Sequence, residues 1–431
     1  MRNNPLNAAI AMILFLVVMA LIEIYGFKGI YVSTINWNSI SRTAVHWAYW
    51  ALNIFSFGLL IIAMMNFREW RGEHPNLLMF VMAFFFVLWV PKMVLASFHL
   101  IDDIRYFITW AFKGFPTVPK NLVSAADAEE NLVGNPISRA TFITTTGQFV
   151  AGFALVSFLY GVTRGKFAFR VLEHQVGFKN LPTELEGLKV VQISDAHLGS
   201  FMDSFDPIKE AIDMINGLKP DLIMFTGDLV NVESSEAEPW IPIFRELKAR
   251  YGKFSILGNH DYADYGDMTE EQREFSRNRV KEIHQEMGFD LLLNENRNVA
   301  INGKTLDVIG VENWGKGFVQ HGDLNKAISG LDMEQPSILL SHDPTHYEEQ
   351  VLGKKNIDLT LSGHTHGMQM GIEIPWLGIK LSPARLRYKR WGGLYTDKQQ
   401  HIHVNRGFGV LAFPGRVGMP PEITLLTITK A

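Results

Sequence analysis

The sequence contains no cysteine. That absence excludes a disulfide framework, cysteine-ligated zinc, cysteine-held iron–sulfur clusters and a thiol nucleophile, and leaves the redox compartment open. Charge is also scarce, at 19% of 431 residues against about 25% in an average soluble chain. An excess of positive charge is missing too: 40 Lys and Arg face 44 Asp and Glu, for a net charge of -4. Without a basic field to attract phosphate backbones, no nucleic-acid partner is expected. Neither internal repeats nor low-complexity tracts are present. The length suits two or three domains.

The charge deficit is local. Residues 1–165 hold 19 charged side chains and residues 166–431 hold 65, so the halves belong to different compositional classes and are expected to be separate domains. Four apolar stretches in the first half, 8–25, 44–65, 77–101 and 141–162, approach the roughly 20 residues that cross a bilayer. They predict a four-helix transmembrane region. Pro91 and Lys92 in the third predict a kink, with Lys92 snorkelling or facing the bundle. His46, Asn53, His99 and Gln148 suit interhelical hydrogen bonds or, alternatively, a transport path. Basic residues flank the spans six to a side, so their distribution fixes no orientation. The polar loop from Asp102 to Arg139, with Asp127, Glu129 and Glu130, reads as solvated.

The second half alternates strand-like and helix-like runs, an α/β pattern. Its polar chemistry gathers where apolar strands stop: Asp195-Ala196-His197, Gly227-Asp228, Gly258-Asn259-His260-Asp261, His342, and Gly363-His364-Thr365-His366. Ligand crevices of α/β sheets open at such strand ends. Imidazole, carboxylate and amide oxygen without sulfur suit Mn, Fe, Zn or Co. Asp195, His197, Asp228, Asn259, His342, His364 and His366 suffice for two ions if one carboxylate bridges. Such a pair can hold a hydroxide and clamp a phosphoryl oxygen for in-line attack.

These five blocks, in this order, resemble the calcineurin-like metallophosphoesterase superfamily, and more narrowly its membrane-anchored bacterial branch. The resemblance implies an αββα sandwich of two mixed sheets over 166–431. It implies one ion on Asp195, His197, Asp228 and His366, and a second on Asp228, Asn259, His342 and His364, with Asp228 bridging. It gives His260 the phosphoryl group or leaving oxygen, and Asp261 the orientation of that imidazole. Met368 departs from the branch, which usually has glycine there. Ser138-Arg139-Ala140-Thr141-Phe142 resembles a twin-arginine export signal lacking its second arginine, and leans toward an extracytoplasmic catalytic half on a bacterial cytoplasmic membrane. The expected activity is hydrolysis of a phosphate ester, monoester, diester or pyrophosphate. A lipid-linked or nucleotide-lipid substrate is suggested by the apolar and basic stretch from Ile372 to Tyr388, which Lys389 and Arg390 follow. An alternative makes the helical half a transporter or sensor regulated by the metal domain; few ionisable groups lie in the spans, against an ion path.

Overall fold

The computed structural model describes residues 5–67, 69–70, 74–113, 139–202 and 204–431. The loop bearing Asp127, Glu129 and Glu130 lies outside them, as does Ser138. Two compact units emerge: residues 1–65 with 84–159, and residues 66–83 with 160–431.

The first unit is built from four long helices, α1 (Pro5–Thr34), α2 (Ser39–Met65), α3 (Pro75–Lys113, from Phe84 onward) and α4 (Arg139–Thr163). Each is long and apolar enough to span a membrane. Ile54, Phe149 and Ile40 are 71%, 77% and 81% exposed, an apolar surface that lipid tolerates and water does not. Polar groups turn inward instead. Lys92 faces the bundle, where its Nζ lies 2.7 Å from Glu23 Oε1 and also meets Asn53 Oδ1, while Tyr49 donates to Glu23 Oε2 at 2.6 Å. Gln148 donates to the Gly29 carbonyl at 3.1 Å, and His46 Nε2 lies 3.0 Å from Thr34 Oγ1. Asn53, Gln148 and His46 thus make interhelical hydrogen bonds. His99 is buried, its Nε2 without a hydrogen-bond partner among the described residues. Pro91 lies inside the continuous α3.

Two six-stranded mixed sheets form the second unit. In the first, β1 (Arg170–Phe178) pairs in parallel with β14 (Glu422–Lys430), which runs antiparallel to β2 (Lys189–Ile193). Next come β3 (Leu222–Phe225), β4 (Gly252–Ser255) and β5 (Asp290–Leu291), all parallel to β2. The second sheet is ordered β12 (Gly393–Asp397), β13 (Gln400–Val404), β9 (Leu359–Ser362), β8 (Ser337–Leu340), β7 (Lys304–Gly310) and β6 (Glu295–Ile301). A small hairpin joins β10 (Ile372–Ile374) to β11 (Ile379–Leu381). Helices α5 (Phe205–Gly217), α6 (Ile241–Arg245), α7 (Glu270–Glu286) and α8 (Leu324–Ala327) complete the unit.

The continuous apolar runs of the central strands follow from burial on both faces. In β3, Leu222 and Met224 join the core between the sheets, where they meet Ile338 and Leu340 of β8, while Ile223 and Phe225 pack with Ile208, Ile212 and Ile215 of α5. Leu339 points the other way, into a third cluster with Leu324 and Tyr347. Each such side chain contributes about 1.5–3 kcal/mol through burial, so the strand ends that carry the site are firmly anchored.

Candidate metal centre

Parallel pairing puts the ends of β2, β3 and β4 side by side, and likewise those of β8 and β9. The loops beyond them continue the pairing: Asp195 N–H donates to the Gly227 carbonyl at 2.9 Å, and Gly363 N–H to the His342 carbonyl at 2.9 Å. The backbone then leaves the pleat. Asp195, His197, Asp228, His364 and His366 all adopt left-handed φ, between 43° and 70°, a conformation costing a non-glycine residue about 1–2 kcal/mol. Five such residues in one place are the signature of strain retained for function. In Asp195-Ala196-His197 this geometry lets both outer side chains converge on one group, whereas in His364-Thr365-His366 it sends one outer side chain to each of two groups. Two motif glycines follow from crowding: a Cβ on Gly363 would collide with the Asp195 carboxylate, and one on Gly258 with that of Asp228.

Two groups of potential ligands result, Asp195 with His197 and His366, and Asp228 with His342 and His364. In the first, His366 Nε2 lies 3.2 Å from Asp195 Oδ1 and 3.1 Å from His197 Nε2. In the second, His342 Nε2 lies 3.1 Å from Asp228 Oδ2 and 3.2 Å from His364 Nδ1. Asp228 Oδ2 is shared, being also 3.6 Å from His197 Nε2. Apart from partly buried His364, all these residues are buried.

The outer ring atoms show what this arrangement suits. His197 Nδ1 faces the Val230 carbonyl at 3.2 Å, and His342 Nδ1 faces the Thr226 carbonyl at 2.8 Å. A carbonyl only accepts, so each Nδ1 carries the proton and a neutral ring presents a bare Nε2. Bare nitrogens then face a carboxylate oxygen and each other, which is repulsive unless a cation or proton lies among them. Imidazoles tied to backbone carbonyls through the opposite nitrogen are the usual support of metal sites. Electrostatics agree. Burial opposes ionisation of Asp195, but His366 holds its carboxyl well below the usual range; Asp228 is held down likewise, against burial, chiefly by His342. Burial would lower His342, yet Asp228 overrules it and pushes the ring up to about 10. His364 is pushed down to about 4 by burial.

Asn259 is buried beside this set; its Nδ2 donates to Tyr265 OH at 2.8 Å, while Oδ1 has no hydrogen-bond partner among the described residues. An orphaned amide oxygen fits a cation ligand. His260 N–H donates to Asp228 Oδ1 at 2.8 Å, and its ring stacks on Tyr265 with centroids 4.3 Å apart. The family resemblance gives Asp261 the orientation of this ring; in the structure the Asn231 carbonyl lies 2.6 Å from His260 Nδ1. The Asp261 carboxylate is occupied by four backbone N–H groups, those of Asp228 at 2.9 Å, Leu229 at 2.8 Å, Val230 at 3.3 Å and Gly258 at 2.8 Å. It therefore anchors the turn that presents Asp228. Burial, reinforced by the Asp228 charge, pushes its pKa up to about 7.

Three supporting residues escape sequence reasoning. Tyr265 and Tyr388 meet Asn259 and His364, the latter with its OH 3.0 Å from Nε2. Neither follows any motif spacing. Asn231, three residues after Asp228, was within reach of the motif but acts through its backbone. In the apolar and basic stretch, Trp376, Leu377 and Leu386 are 81%, 52% and 94% exposed. Arg390, just beyond it, is buried in ion pairs with Glu348 and Asp397, both at 2.7 Å.

Comparisons with known proteins converge on one family. A model described as "Probable Calcineurin-like phosphoesterase, transmembrane domain" matches residues 8–166, and one described as "Calcineurin-like phosphoesterase" matches residues 188–368. The uncharacterized metallophosphoesterase YkuE of Bacillus subtilis is 32% identical over 265 residues, covering 59% of this chain and 84% of that protein. The UDP-2,3-diacylglucosamine pyrophosphatase LpxG of Chlamydia muridarum is 30% identical over 295 residues, covering 56% of this chain and 84% of that protein. A transmembrane protein with metallophosphoesterase domain from Danio rerio is 28% identical over 63% of this chain, and the match spans 60% of its length, less than two thirds.

Proposed function

Since this chain belongs to the calcineurin-like metallophosphoesterase family and is a membrane protein that hydrolyses phosphoesters with divalent metals, we propose that residues 166–431 carry a two-metal site acting on a lipid-borne phosphate ester. Asp195, His197, Asp228 and His366 would hold one ion; Asp228, Asn259, His342 and His364 would hold the other. The observation that carries this reading is the pair of imidazoles, His197 and His342, tied by Nδ1 to backbone carbonyls while both Nε2 atoms face Asp228 Oδ2.

The chemistry that two divalent cations would supply at this site is a hydroxide nucleophile at neutral pH and neutralisation of phosphoryl charge. The protein's own residues supply the rest. Asp228 Oδ2 sets the spacing of the two ligand groups. Asp261, through four backbone N–H groups, fixes the turn from which Asp228 projects. The Asn231 carbonyl keeps a proton on His260 Nδ1, so Nε2 can protonate the departing oxygen only from the imidazolium form, which gives up its second proton there, a general-acid role worth about 10²–10⁴-fold. Tyr388, at His364 Nε2, fixes the ring that offers Nδ1.

A lipid-borne substrate is supported by the four candidate spans and by likeness to LpxG, named for a diacylated sugar nucleotide. We place the catalytic half outside the cytoplasm on the strength of the export-signal-like stretch around Arg139. A panel of soluble monoesters, diesters and phosphate-bearing lipids, offered to the purified full chain with Mn, Fe, Zn or Co, tests the substrate. Preference for a lipid ester supports the reading; equal turnover of soluble esters alone overturns the lipid assignment.

A further inference from the structure

A cavity of about 480 Å³ opens beside the ligand cluster, with Asn259, His260 and His364 at one end. Its walls are mostly apolar. Phe318 and Leu411 come from loops of the α/β fold, and Phe67, Leu78, Met79 and Met82 from the segment 66–83. All these residues lie in the second compact unit. Leu78, Met79 and Met82 occupy the first turns of α3, the helix whose stretch Pro75–Phe112 is apolar enough to span a membrane. Their i, i+1, i+4 spacing puts them on one face of that helix.

A purely hydrolytic site for soluble esters has no use for such walls. A phosphate recognised by cations at one end of a cleft, with apolar side chains along the remainder, matches an amphiphile whose head reacts and whose chain does not. Methionine, unbranched and polarizable, adapts to a flexible chain without a fixed shape. The origin of the wall matters as much as its chemistry, because a span's first turns lie where lipid chains begin. We propose that this cleft is an acyl or alkyl chain subsite: Leu78, Met79, Met82, Phe67, Phe318 and Leu411 take the hydrocarbon chain of a membrane-resident phosphoester while its phosphate reaches His260 and the metal ligands. The proposal rests on the phosphoesterase reading above and assigns to it a specificity determinant that the metal motifs do not contain.

The test uses the full chain in mixed micelles and two readouts. The first is kcat/KM for p-nitrophenyl alkyl phosphates with chains of 2 to 16 carbons. Burial of each methylene gives up to about a fourfold gain, so the ratio of long-chain to short-chain kcat/KM is expected to exceed tenfold, and to fall at least tenfold in Met82→Trp or Leu78→Trp. The second readout does not need turnover. Because the chain has no cysteine, Met82→Cys introduces a single thiol, whose maleimide labelling should slow at least fivefold with hexadecylphosphonate and not with methylphosphonate. Phe275→Cys, on exposed α7, should label equally with both. A flat chain-length series together with unprotected Met82→Cys overturns the subsite while leaving the hydrolase intact. Absence of hydrolysis of every ester by the metal-loaded protein overturns the phosphoesterase reading instead, and the labelling result then decides separately whether the cleft binds a chain.

Discussion

His342 Nε2 lies 3.1 Å from Asp228 Oδ2 while its Nδ1 faces the Thr226 carbonyl at 2.8 Å. Both contacts need the ring to donate, so without a metal the ring holds two protons and its pKa is pushed up to about 10 by Asp228. A divalent cation must displace the Nε2 proton. Calorimetry at pH 7.5 in buffers of different ionisation enthalpy should therefore show about one proton released as this site fills, with affinity rising as pH climbs toward 10. Binding with no proton release contradicts the assignment.

Asp261 gives a second prediction. Asp261→Asn replaces one acceptor oxygen with an amide that points its own hydrogens at backbone donors. Leaving a buried N–H unpaired costs about 1–3 kcal/mol, so the melting temperature should fall and metal should be retained less well. An unchanged melting curve with full metal content would show that the four backbone contacts carry no weight.

His284 is distant in role from the chemistry. It is buried on α7 against Phe225, both ring nitrogens lack hydrogen-bond partners among the described residues, and burial pushes its pKa down to about 3. An unfolded chain protonates this ring below about 6.5, which the native state resists. Its contribution is thus complete above pH 6.5 and is lost as pH falls toward 3. At pH 4.5 the deficit is about 2–3 kcal/mol, from 1.36 kcal/mol per pH unit. His284→Leu should flatten the fall in melting temperature between pH 7 and 4.5 relative to the unsubstituted protein; parallel curves would refute this.

Within the helical unit, the Glu23–Lys92 pair is almost fully enclosed, with side chains 4% and 13% exposed. Glu23→Gln strands the ammonium and should cost about 3–5 kcal/mol. Glu23→Leu with Lys92→Met should recover most of it. Melting in detergent reads both, and a double variant no better than the single one would show that the charges do more than pair.

Much of this was legible in the sequence because the chemistry sits on strand ends, and apolar strands are easy to see. The strands at Leu222–Phe225, Ser337–Leu340 and Leu359–Ser362 fall within one residue at each end of the apolar runs, since burial on both faces leaves no polar interruption. Edge and polar strands were not: Glu295–Ile301 carries polar residues at most positions, and β12 and β13 gave no clear period. The run from Pro239 to Arg250 reads as helical in the sequence, but the α-helix is confined to Ile241–Arg245, apolar periodicity outrunning the helix itself. Six of the seven ligand candidates fall into the two groups, and Asn259 lines the same cavity as His364. The partner of Asp261 was unreadable, because which donors a carboxylate meets depends on how two loops cross. Tyr388 and Tyr265 were hidden for the same reason, and the wall supplied by Leu78 and Met82 lies more than 100 residues before the first motif.

The central claim is that Asp228 joins two cation sites into one catalytic centre. Metal analysis and phosphoester turnover on purified full-length protein and Asp228→Asn test it most directly. The account predicts two divalent ions per unsubstituted chain, and for Asp228→Asn loss of at least one ion with turnover down by about 10³-fold or more, the scale of losing a metal-supported nucleophile. An Asp228→Asn protein that keeps two ions and turns over near the original rate would contradict it.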